Sequence, residues 1–497
     1  MKLLFTPTSG EWTLFVIIFI AIGLFIGVAE FLRTRFRGSP EITRKLVHVL
    51  TGILIFFAPQ VFYSGIPAIL LAVTFIIVNL IAVEFGLLKG MHGTNRHSYG
   101  TVYYPLSFLA LVLLFWDSAP YIISISILVL AVGDASAAIV GENLRSPHIF
   151  YLTSDKKSLE GSAVMFTTTL LIVYGSMVYL HIVPSYDPLI IAVVTSLFAT
   201  VFEAVSSRGF DNYTVPLSTA FMLHLFLTSP TYHLPEQIVL AMMLAFAIGV
   251  VSYYFNFLAV SGSVATFLLA TIIYGIGGWK WTIPILTFFI ASSLLSKFGK
   301  AHKKRFEIIF EKTDKRDAEQ VAANGGVAGI IIIIWHFFPE HHELFYLYLA
   351  SIAAVTADTW GTEIGTLWKG KPRSIVTFKE VEPGTSGGVS IQGTFGALLG
   401  AMIVTGSAVM VDGLDLSRSL IAAIIVSGLI GSLIDSVFGA TIQAQYQTGS
   451  GKTTEKTMID GVKTKLIKGN RWVDNDIVNW MCALSGAIVM FLFLRIF

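Results

Sequence analysis

Acidic residues lie within or at the ends of several long apolar runs in this 497-residue sequence. Asp134 and Glu203 belong to the first half, and Asp358 and Asp435 belong to the second half. A charged side chain in hydrocarbon costs about 3 kcal/mol or more, so a carboxylate at such a position indicates a functional site. Carboxylates at a membrane surface can hold Mg²⁺, which takes oxygen ligands and bridges phosphate groups. These residue types therefore predict metal-assisted phosphoryl transfer.

A glycine- and serine-rich stretch follows the first acid of each half. The two stretches are DKKSLEGS at 155–162 and EPGTSGGVS at 382–390. Such turns expose backbone N–H groups to phosphate, particularly where a helix begins. Lys156 and Lys157 would neutralise a nucleoside triphosphate, and a remaining aspartate could accept a proton from an attacking hydroxyl group. We expect the acceptor to be a lipid because the site would open on the bilayer.

The two halves of the sequence carry these features in the same order. Asp134 is followed seven residues later by Gly141, and Asp358 is followed seven residues later by Gly365. In each half the glycine-rich stretch comes next, and a later apolar run ends with another acid. The order predicts two weakly related catalytic units, residues 1–232 and 233–497, each with its own site.

The composition is that of a membrane protein. Hydrophobic residues make up 55% of the chain and charged residues 13%, whereas soluble domains carry about a quarter charged residues. Apolar runs close to the roughly 20 residues that cross a bilayer predict an all-α polytopic membrane protein with about sixteen transmembrane helices. The predicted spans are 12–31, 46–59, 61–83, 102–116, 119–141, 161–183, 187–205, 214–230, 235–257, 262–277, 281–297, 318–338, 342–367, 393–412, 418–441 and 478–495.

The positive charges favour one side of this arrangement. Of the 33 lysines and arginines, 29 fall in the loops after odd-numbered spans. The four exceptions are Lys2, Lys280, Arg418 and Arg495. The positive-inside rule then places the long loops in the cytoplasm and both termini outside. We expect a multi-pass protein of a bacterial inner membrane with its active sites facing the cytoplasm. A nucleic acid partner is not expected, and a homo-oligomer stays open.

The stretch QTGSGKTTEK at 447–456 contains the Gly-Lys-Thr signature of a phosphate-binding P-loop. A P-loop needs a glycine five residues before the Gly-Lys pair, a strand in front and a helix behind. Tyr446 occupies the position of that glycine, and no strand is expected before the loop. The sequence therefore predicts that this stretch is not a P-loop and that Lys452 is one exposed cation among several.

Four stretches of the first half, taken in order, resemble one known family. They are EITRKLVHVLTGI (41–53), VGDASAAIVGENL (132–144), KKSLEGSAVMF (156–166) and FEAVSSRGFDNYTVPL (202–217). They resemble the phytol kinase, dolichol kinase and CTP-dependent diacylglycerol kinase family, which is related to the phosphatidate cytidylyltransferases. The resemblance covers residues 40–230 and implies a CTP-dependent kinase of a membrane-embedded alcohol.

The resemblance also implies which residues of the first half bind nucleotide, phosphate or metal. These are Arg44, Lys45, His48, Gly133, Asp134, Lys157, Glu160, Gly161, Ser162, Glu203, Asp211 and Asn212. For His48, a phosphate or base contact and an anchoring role at the membrane surface both stay open. The sequence departs from the family after Gly141, since the run that follows the Gly-Asp motif contains no further glycine.

The second half resembles the transmembrane family that includes plant phytyl-phosphate kinase. The matching stretches are SGSVATFLLATIIYGIGGWKW (261–281), FFIASSLLSKFGKAHK (288–303), RDAEQVAANGGVAG (316–329), AVTADTWGTEIG (354–365), VEPGTSGGVSIQG (381–393), LIGSLIDSVFGATIQAQY (429–446) and DNDIVNW (474–480). The resemblance covers residues 240–497 and implies a kinase that acts on an isoprenyl monophosphate.

Candidate site residues of the second half follow from its acids, its glycine-rich stretch and its asparagines. Asn324 either contacts phosphate or lies where Gly325 and Gly326 allow close helix packing. Asn475 and Asn479 are one helical turn apart, and they either share a binding face or cap the last helix. The phosphate-binding candidates are Asn324, Gly384, Thr385, Ser386, Gly387, Gly388, Asn475 and Asn479.

The expected metal ion is Mg²⁺ in both halves. Its predicted ligands are Asp134, Glu203, Asp358, Glu363 and Asp435. The predicted catalytic residues are Asp134, Glu203, Asp211, Asp358 and Asp435.

Together these features predict a bifunctional lipid kinase. The first half would convert an isoprenoid alcohol (phytol, geranylgeraniol or farnesol) to its monophosphate with CTP, and the second half would add another phosphate from a donor that stays open. Two alternatives remain. A cytidylyltransferase would release pyrophosphate and a CDP-lipid, and a two-repeat secondary transporter would place its acids near mid-membrane.

Overall fold

The computed structural model of the protein describes residues 2–36, 40–87, 99–228, 234–298, 315–367, 370–411, 416–448, 453–459 and 462–496. The chain divides into two compact units, Met1–Pro235 and Glu236–Phe497. Long helices form most of both units, and the strands are short. Each unit surrounds its own cavity.

The helices of the first unit include a short one, α3, between two long ones. They are α1 (Ser9–Phe36), α2 (Pro40–Phe56), α3 (Ala58–Val61), α4 (Ile66–Glu84), α5 (Gly100–Phe115), α6 (Pro120–Asn143), α7 (Leu159–Tyr179), α8 (Pro188–Val205) and α9 (Asp211–Leu227). Helix α6 runs through the interior of this unit and packs against α2, α5, α7 and α9. Helix α2 approaches it closely, since a Cβ atom at Gly52 of α2 would lie 2.1 Å from Ala131 Cβ.

Helix α10 (Leu234–Tyr254) begins at the boundary between the units. The second unit continues with α11 (Val260–Phe298), α12 (Ala318–Phe337), α13 (Glu343–Leu367), α14 (Ile391–Val409), α15 (Arg418–Thr441) and α16 (Asn475–Ile496). Helix α13 is its centre, where small residues allow close packing. A Cβ atom at Gly428 of α15 would lie 2.8 Å from Ala353 Cβ, and one at Gly431 would lie 2.6 Å from Ala354 Cβ.

Local signals define where several helices begin. Ser158, Asp187, Ser390 and Ser417 cap α7, α8, α14 and α15, and each accepts a hydrogen bond from a backbone N–H of the first turn. Such caps satisfy N–H groups that have no partner within the helix. Helix α12 begins with a capping box, in which Asp317 and Gln320 bond reciprocally.

The protein is an all-α polytopic membrane protein. Among the described residues, twelve helices are long and apolar enough to cross a membrane, and α5 is a shorter apolar helix. The predicted spans 262–277 and 281–297 both lie in α11, which is interrupted at Gly278, where φ is 60° and ψ is −157°. The total of sixteen spans, the side of each terminus and the side of each loop remain predictions.

Short antiparallel strands, which the sequence analysis did not predict, connect some of the helices. They are β1 (Ile149–Phe150) with β2 (Lys157–Ser158), β3 (Arg373–Ser374) with β4 (Gly388–Val389), β5 (Gln445–Gln447) between β6 (Thr453–Thr454) and β9 (Lys465–Lys468), and β7 (Met458–Ile459) with β8 (Val462–Lys463). With two to four residues each, these strands are too short for an alternating apolar pattern to identify them.

Candidate active sites

Three carboxylates meet in the first unit. Oxygen atoms of Asp134, Glu203 and Asp211 all lie within 4.8 Å of one another. Asp134 is the last residue of a π-helical turn, Val129–Asp134, inside α6, and such turns occur frequently at functional sites. Glu203 is buried near the end of α8, and Asp211 begins α9. Helix α6 and the consecutive helices α8 and α9 therefore form one acidic centre.

Lys157 lies against this acidic centre. Its ammonium group forms ion pairs with Glu203 and, at 3.5 Å, with Asp211 Oδ2. Burial alone would lower the pKa of Lys157, but the carboxylates of Glu203, Asp211 and Asp134 raise it above the ordinary value for lysine. The lysine is therefore a permanent cation at physiological pH, suited to neutralising phosphate rather than to accepting a proton.

The acidic centre opens into a cavity of about 1210 Å³. Arg44, Lys45, His48, Asn212 and Gly161 line the same cavity as the three acids and Lys157. Apolar side chains of α1, α2, α4 and α5 line it as well, namely Ile22, Ile26, Ile55, Leu71, Phe75 and Phe108. The first cavity is thus amphipathic, with room for a charged headgroup and a hydrocarbon chain.

The other predicted residues of the first unit have individual partners. Lys45 Nζ lies 2.9 Å from Glu142 Oε2, and His48 Nε2 bonds to Leu130 O at 3.3 Å in the π-helical turn. Asn212 donates its backbone N–H and its side-chain amide to Asp211 Oδ1, at 3.0 and 3.2 Å. The contacts of Lys45 and His48 hold the basic helix α2 against α6, which bears Asp134, and those of Asn212 are local to the start of α9.

Glu160 and Ser162 lie outside the lining of the first cavity among the described residues. Glu160 accepts the backbone N–H of His148 and pairs with its ring, with 2.6 Å between Nδ1 and Oε1. Ser162 Oγ is buried without a hydrogen-bond partner in the described part of the chain. The contacts of Glu160 support a role in holding the hairpin β1–β2 rather than direct contact with a ligand, and nothing in the described residues assigns a role to Ser162.

A second cavity of about 370 Å³ lies within the second unit. The predicted residues of the second half all line it: Asn324, Asp358, Glu363, Gly384, Thr385, Ser386, Gly387, Gly388, Asp435, Asn475 and Asn479. Asp358 on α13 and Asp435 on α15 are neighbours that interact electrostatically. Asp435 Oδ2 is buried and has no hydrogen-bond partner among the described residues. A cation would satisfy that oxygen, so the donor set fits Mg²⁺.

The glycine-rich loop of the second unit packs directly on α15 beside Asp435. Gly387 has a φ of +79°, and a Cβ atom there would lie 2.5 Å from Ser436 O and 2.4 Å from Ala440 Cβ. Only glycine fits such a position, for its backbone angles and for its lack of a side chain. The loop backbone is thereby brought to the cavity wall, where its N–H groups can face an anion.

The two units share one local arrangement around the start of the helix after each hairpin. Ser158 caps α7 by accepting from Gly161 N at 3.1 Å, and Ser390 caps α14 by accepting from Gly393 N at 3.1 Å. A Cβ atom at Gly141 would lie 2.7 Å from Ser158 Oγ, and a Cβ atom at Gly365 would lie 3.3 Å from Ser390 Oγ. In both units, therefore, the helix bearing the first aspartate contacts the capped helix start through glycine.

Known proteins resemble this chain over large parts of its length. Residues 243–487 match the family of integral membrane protein DUF92. Protein PGR of Arabidopsis thaliana is 32% identical over 281 residues, which cover 52% of this chain and 94% of that protein. The chain belongs to the DUF92 family of integral membrane proteins.

This DUF92 protein is also homologous to phytol kinases. The phytol kinase of Synechocystis sp. is 31% identical over 207 residues, which cover 40% of this chain and 86% of the relative. Phytol kinase 1, chloroplastic, of Arabidopsis thaliana is 30% identical over 205 residues, or 37% of this chain and 66% of the relative. No solved structure matches the chain.

Two residues of the DUF92 protein's second cavity were missed by sequence reasoning. Arg316, the last residue before the capping box of α12, lines the cavity. Burial lowers its pKa to about 10, although the carboxylate of Glu363 opposes this shift. Glu455 also lines the cavity and accepts from Ser386 Oγ at 2.7 Å and from Gln443 Nε2 at 2.9 Å. Glu455 belongs to the P-loop-like stretch, which had been assigned no role.

The structure also corrects the expectation that no strand precedes that stretch. Strand β5 (Gln445–Gln447) lies before it, because the chain leaves α15 and pairs with β9. The element that follows β5 is strand β6 (Thr453–Thr454) rather than a helix, and Tyr446 pairs with Thr454. A strand-to-strand hairpin differs from the strand-to-helix turn of a P-loop. Lys452 lies outside the described residues. So does the basic cluster of Lys300, Lys303, Lys304 and Arg305, for which the sequence favours a solvated positive-inside cluster over nucleotide binding.

Proposed function

We propose that this protein is a membrane-embedded kinase that phosphorylates isoprenoid alcohols in its first unit and the resulting monophosphates in its second unit. The amphipathic first cavity is the observation that carries the proposal. Three carboxylates and a permanently charged lysine line the same space as apolar side chains from four helices. A lipid alcohol with a nucleotide beside it has the matching chemistry, and the homologous phytol kinases support an isoprenoid acceptor.

In the proposed first step, the alcohol oxygen attacks the γ-phosphorus of CTP. The bond between the γ-phosphorus and the β–γ bridging oxygen breaks, so CDP leaves and the lipid phosphate forms. Asp211 accepts the hydroxyl proton, while Lys157, Arg44 and Lys45 neutralise phosphate charge. Asp134 and Glu203 would hold Mg²⁺, which supplies additional charge stabilisation to the phosphate oxygens. Catalysis of this kind relies on positioning and charge neutralisation.

In the proposed second step, the lipid monophosphate is the acceptor. One of its phosphate oxygens attacks the terminal phosphorus of a nucleoside triphosphate, which leaves as the diphosphate. Asp358 and Asp435 would hold the metal ion, with Glu363 lining the same cavity, and Arg316 would neutralise phosphate. The backbone of the glycine-rich loop and the amides of Asn324, Asn475 and Asn479 offer hydrogen bonds to phosphate oxygens. The smaller and more polar second cavity supports a phosphate headgroup as the reacting group.

Product analysis tests both steps. Purified protein in lipid nanodiscs is incubated with Mg²⁺, CTP labelled at the γ-phosphate, and phytol, geranylgeraniol or farnesol. We expect labelled lipid monophosphate with CDP first, and lipid diphosphate later. Release of pyrophosphate together with a CDP-lipid would instead identify a cytidylyltransferase. Uptake of solute into sealed vesicles, without any lipid product, would identify a transporter.

A further inference from the structure

We propose that Thr51 and Asn79 hold the hydroxyl group of the lipid acceptor in the first cavity. The proposal rests on the proposed function of the first unit and names the residues that position its acceptor. Both side chains line the cavity that contains Asp134 and Lys157. Neither residue has been assigned a role above.

The position of these two residues along their helices marks a boundary within the cavity. On α2, the cavity is lined first by the basic residues Arg44, Lys45 and His48, then by Thr51 and last by Ile55. Val47, which lies among the basic residues, is apolar and also lines the cavity. On α4, three apolar lining residues, Leu71, Ala72 and Phe75, come first, and Asn79 follows towards the end of the helix. The lining therefore changes from polar to apolar at Thr51 along α2, and from apolar to polar at Asn79 along α4.

A third helix shows the same change. Thr101 and Tyr104 line the cavity near the start of α5, and Phe108 lines it one turn further along. A long-chain alcohol has the same division, since its hydroxyl group is the junction between its hydrocarbon chain and the phosphoryl group to be added. The boundary in the cavity is thus where that hydroxyl group belongs.

The two side chains also offer unsatisfied hydrogen-bonding atoms. Thr51 is 8% exposed and Asn79 is 6% exposed. Thr51 Oγ1 and Asn79 Oδ1 are buried without a hydrogen-bond partner among the described residues. Buried polar groups in native proteins are nearly always hydrogen-bonded, so such atoms in a cavity wall indicate a ligand.

The chemistry of an alcohol matches this pair of atoms. Before nucleotide binds, a lipid hydroxyl group can donate its hydrogen to Asn79 Oδ1 and accept a hydrogen bond from the Thr51 hydroxyl group. In the reacting complex the same hydrogen would turn to Asp211, which accepts the proton, while the hydrogen bond from Thr51 continues to hold the oxygen atom. Both side chains are uncharged, so they favour a neutral alcohol over its phosphate product, which gains more from arginine and lysine. The pair would then both orient the acceptor and favour release of the product.

The kinetic test uses Thr51→Val and Asn79→Leu in the full-length protein. Thr195→Val is the matched control, because Thr195 Oγ1 is also buried without a partner among the described residues and does not line the cavity. We expect KM for phytol to rise about fivefold to tenfold in the first two variants, the effect of one lost hydrogen bond. KM for CTP should stay unchanged, and Thr51→Ser, which keeps the hydroxyl group, should behave like the unaltered protein.

A binding test separates this proposal from the proposed reaction. Tritiated phytol and tritiated phytyl methyl ether, which has no hydroxyl hydrogen, are bound to the protein in nanodiscs without nucleotide. The unaltered protein should bind phytol more tightly than the ether, and Asn79→Leu should abolish that difference. If Asn79→Leu abolishes the difference while the unaltered protein forms no phosphorylated product, the kinase proposal is refuted and the hydroxyl site stands.

Several outcomes would overturn the hydroxyl site. One is that phytol and the ether bind equally to the unaltered protein. Another is that Asn79→Leu retains the difference, or that Thr195→Val raises KM for phytol as much as Thr51→Val does. If Asn79→Leu does not elute as a folded protein on size exclusion, the comparison of Thr51→Val with Thr51→Ser decides the question by the same binding measurement.

Discussion

The two cavities differ in size, lining and charge although similar glycine and serine contacts surround them. The first encloses about 1210 Å³ and the second about 370 Å³. In the first unit Lys157 precedes the capping Ser158 and lies against three acids, whereas Val389 precedes the capping Ser390 in the second unit. Among the described residues, the second cavity takes its positive charge from Arg316, which lies outside the hairpin.

This difference relates to the acceptor that each unit would handle. A neutral alcohol brings no charge, so the first site needs its own base and a space for the hydrocarbon chain beside the reacting atoms. A monophosphate brings its own nucleophilic oxygen anion, so a site that receives it needs cations and hydrogen-bond donors more than a base. The comparison therefore predicts that the two units can be inactivated separately.

The largest expected effect is on the first step. Asp134→Asn should reduce phosphorylation of the alcohol to the limit of detection, since it removes a charge from the three-acid centre. Phosphorylation of supplied phytyl monophosphate should continue at the rate of the unaltered protein. Both products are measured by thin-layer chromatography of labelled lipid. Loss of both activities in a variant that remains folded would contradict the assignment of one site to each unit.

The next largest effect is expected on the second step, which the second unit would carry out. Asp435→Ala or Asp358→Asn should cause monophosphate to accumulate from alcohol and CTP, because the second cavity loses one of its two neighbouring carboxylates. The ratio of monophosphate to diphosphate over time gives the result. Diphosphate formation at the normal rate in either variant would mean that the second phosphate is added elsewhere.

An intermediate effect is expected at Lys157, where the two units differ most. Lys157→Met should slow the first step by about a hundredfold, because the transferred phosphoryl group loses a fixed positive charge, and loss of one such stabilising group costs about 3 kcal/mol. Removal of one partner of the buried ion pair with Glu203 also lowers the stability of the fold. The raised pKa means that the stabilising charge of Lys157 is fully present below the ordinary lysine pKa and is lost only as the pH rises through the higher folded value. Thermal unfolding from pH 6 to 9 should therefore show a constant stability difference from the unaltered protein. A difference that disappears by pH 8 would contradict the raised pKa.

The smallest effect is expected in the P-loop-like stretch. Lys452→Ala should leave both steps within about threefold of the unaltered protein, since the sequence predicts an exposed cation at this position and such a charge contributes only about 0–1 kcal/mol. Glu455→Gln, three residues further on, should slow the second step alone by about tenfold, because Glu455 holds Ser386 of the glycine-rich loop. Glu380→Gln is the matched control, as Glu380 is exposed and outside the cavity lining among the described residues. A hundredfold loss in Lys452→Ala would show that the stretch binds nucleotide.

Sequence reasoning recognised most of the helices because their information is local. Apolar length predicts a membrane helix wherever it occurs, and the break at Gly278 lies between two predicted spans. The short strands were missed, because two-residue strands carry no periodic pattern. Residues with a marked chemical type in an unusual place, such as Asp134 or Asp358, were identifiable in the same way, although their catalytic roles remain predictions.

Residues without such a signal became candidates only in three dimensions. Thr51 and Asn79 are ordinary polar residues of apolar helices, and Glu455 is one acid in a charged loop. Their relevance comes from the cavity that each one faces, which is formed by segments distant in the chain.

The sequence by itself determined the helical membrane class, the recurring order of acids and glycines, and the charges available for chemistry, because composition and spacing act locally. The tertiary structure alone decided that Asp134, Glu203 and Asp211 meet at one point and that apolar side chains adjoin them in one cavity. The physical reason is that close packing of distant helices through small residues sets which side chains share a space, and spacing along the chain does not encode that choice.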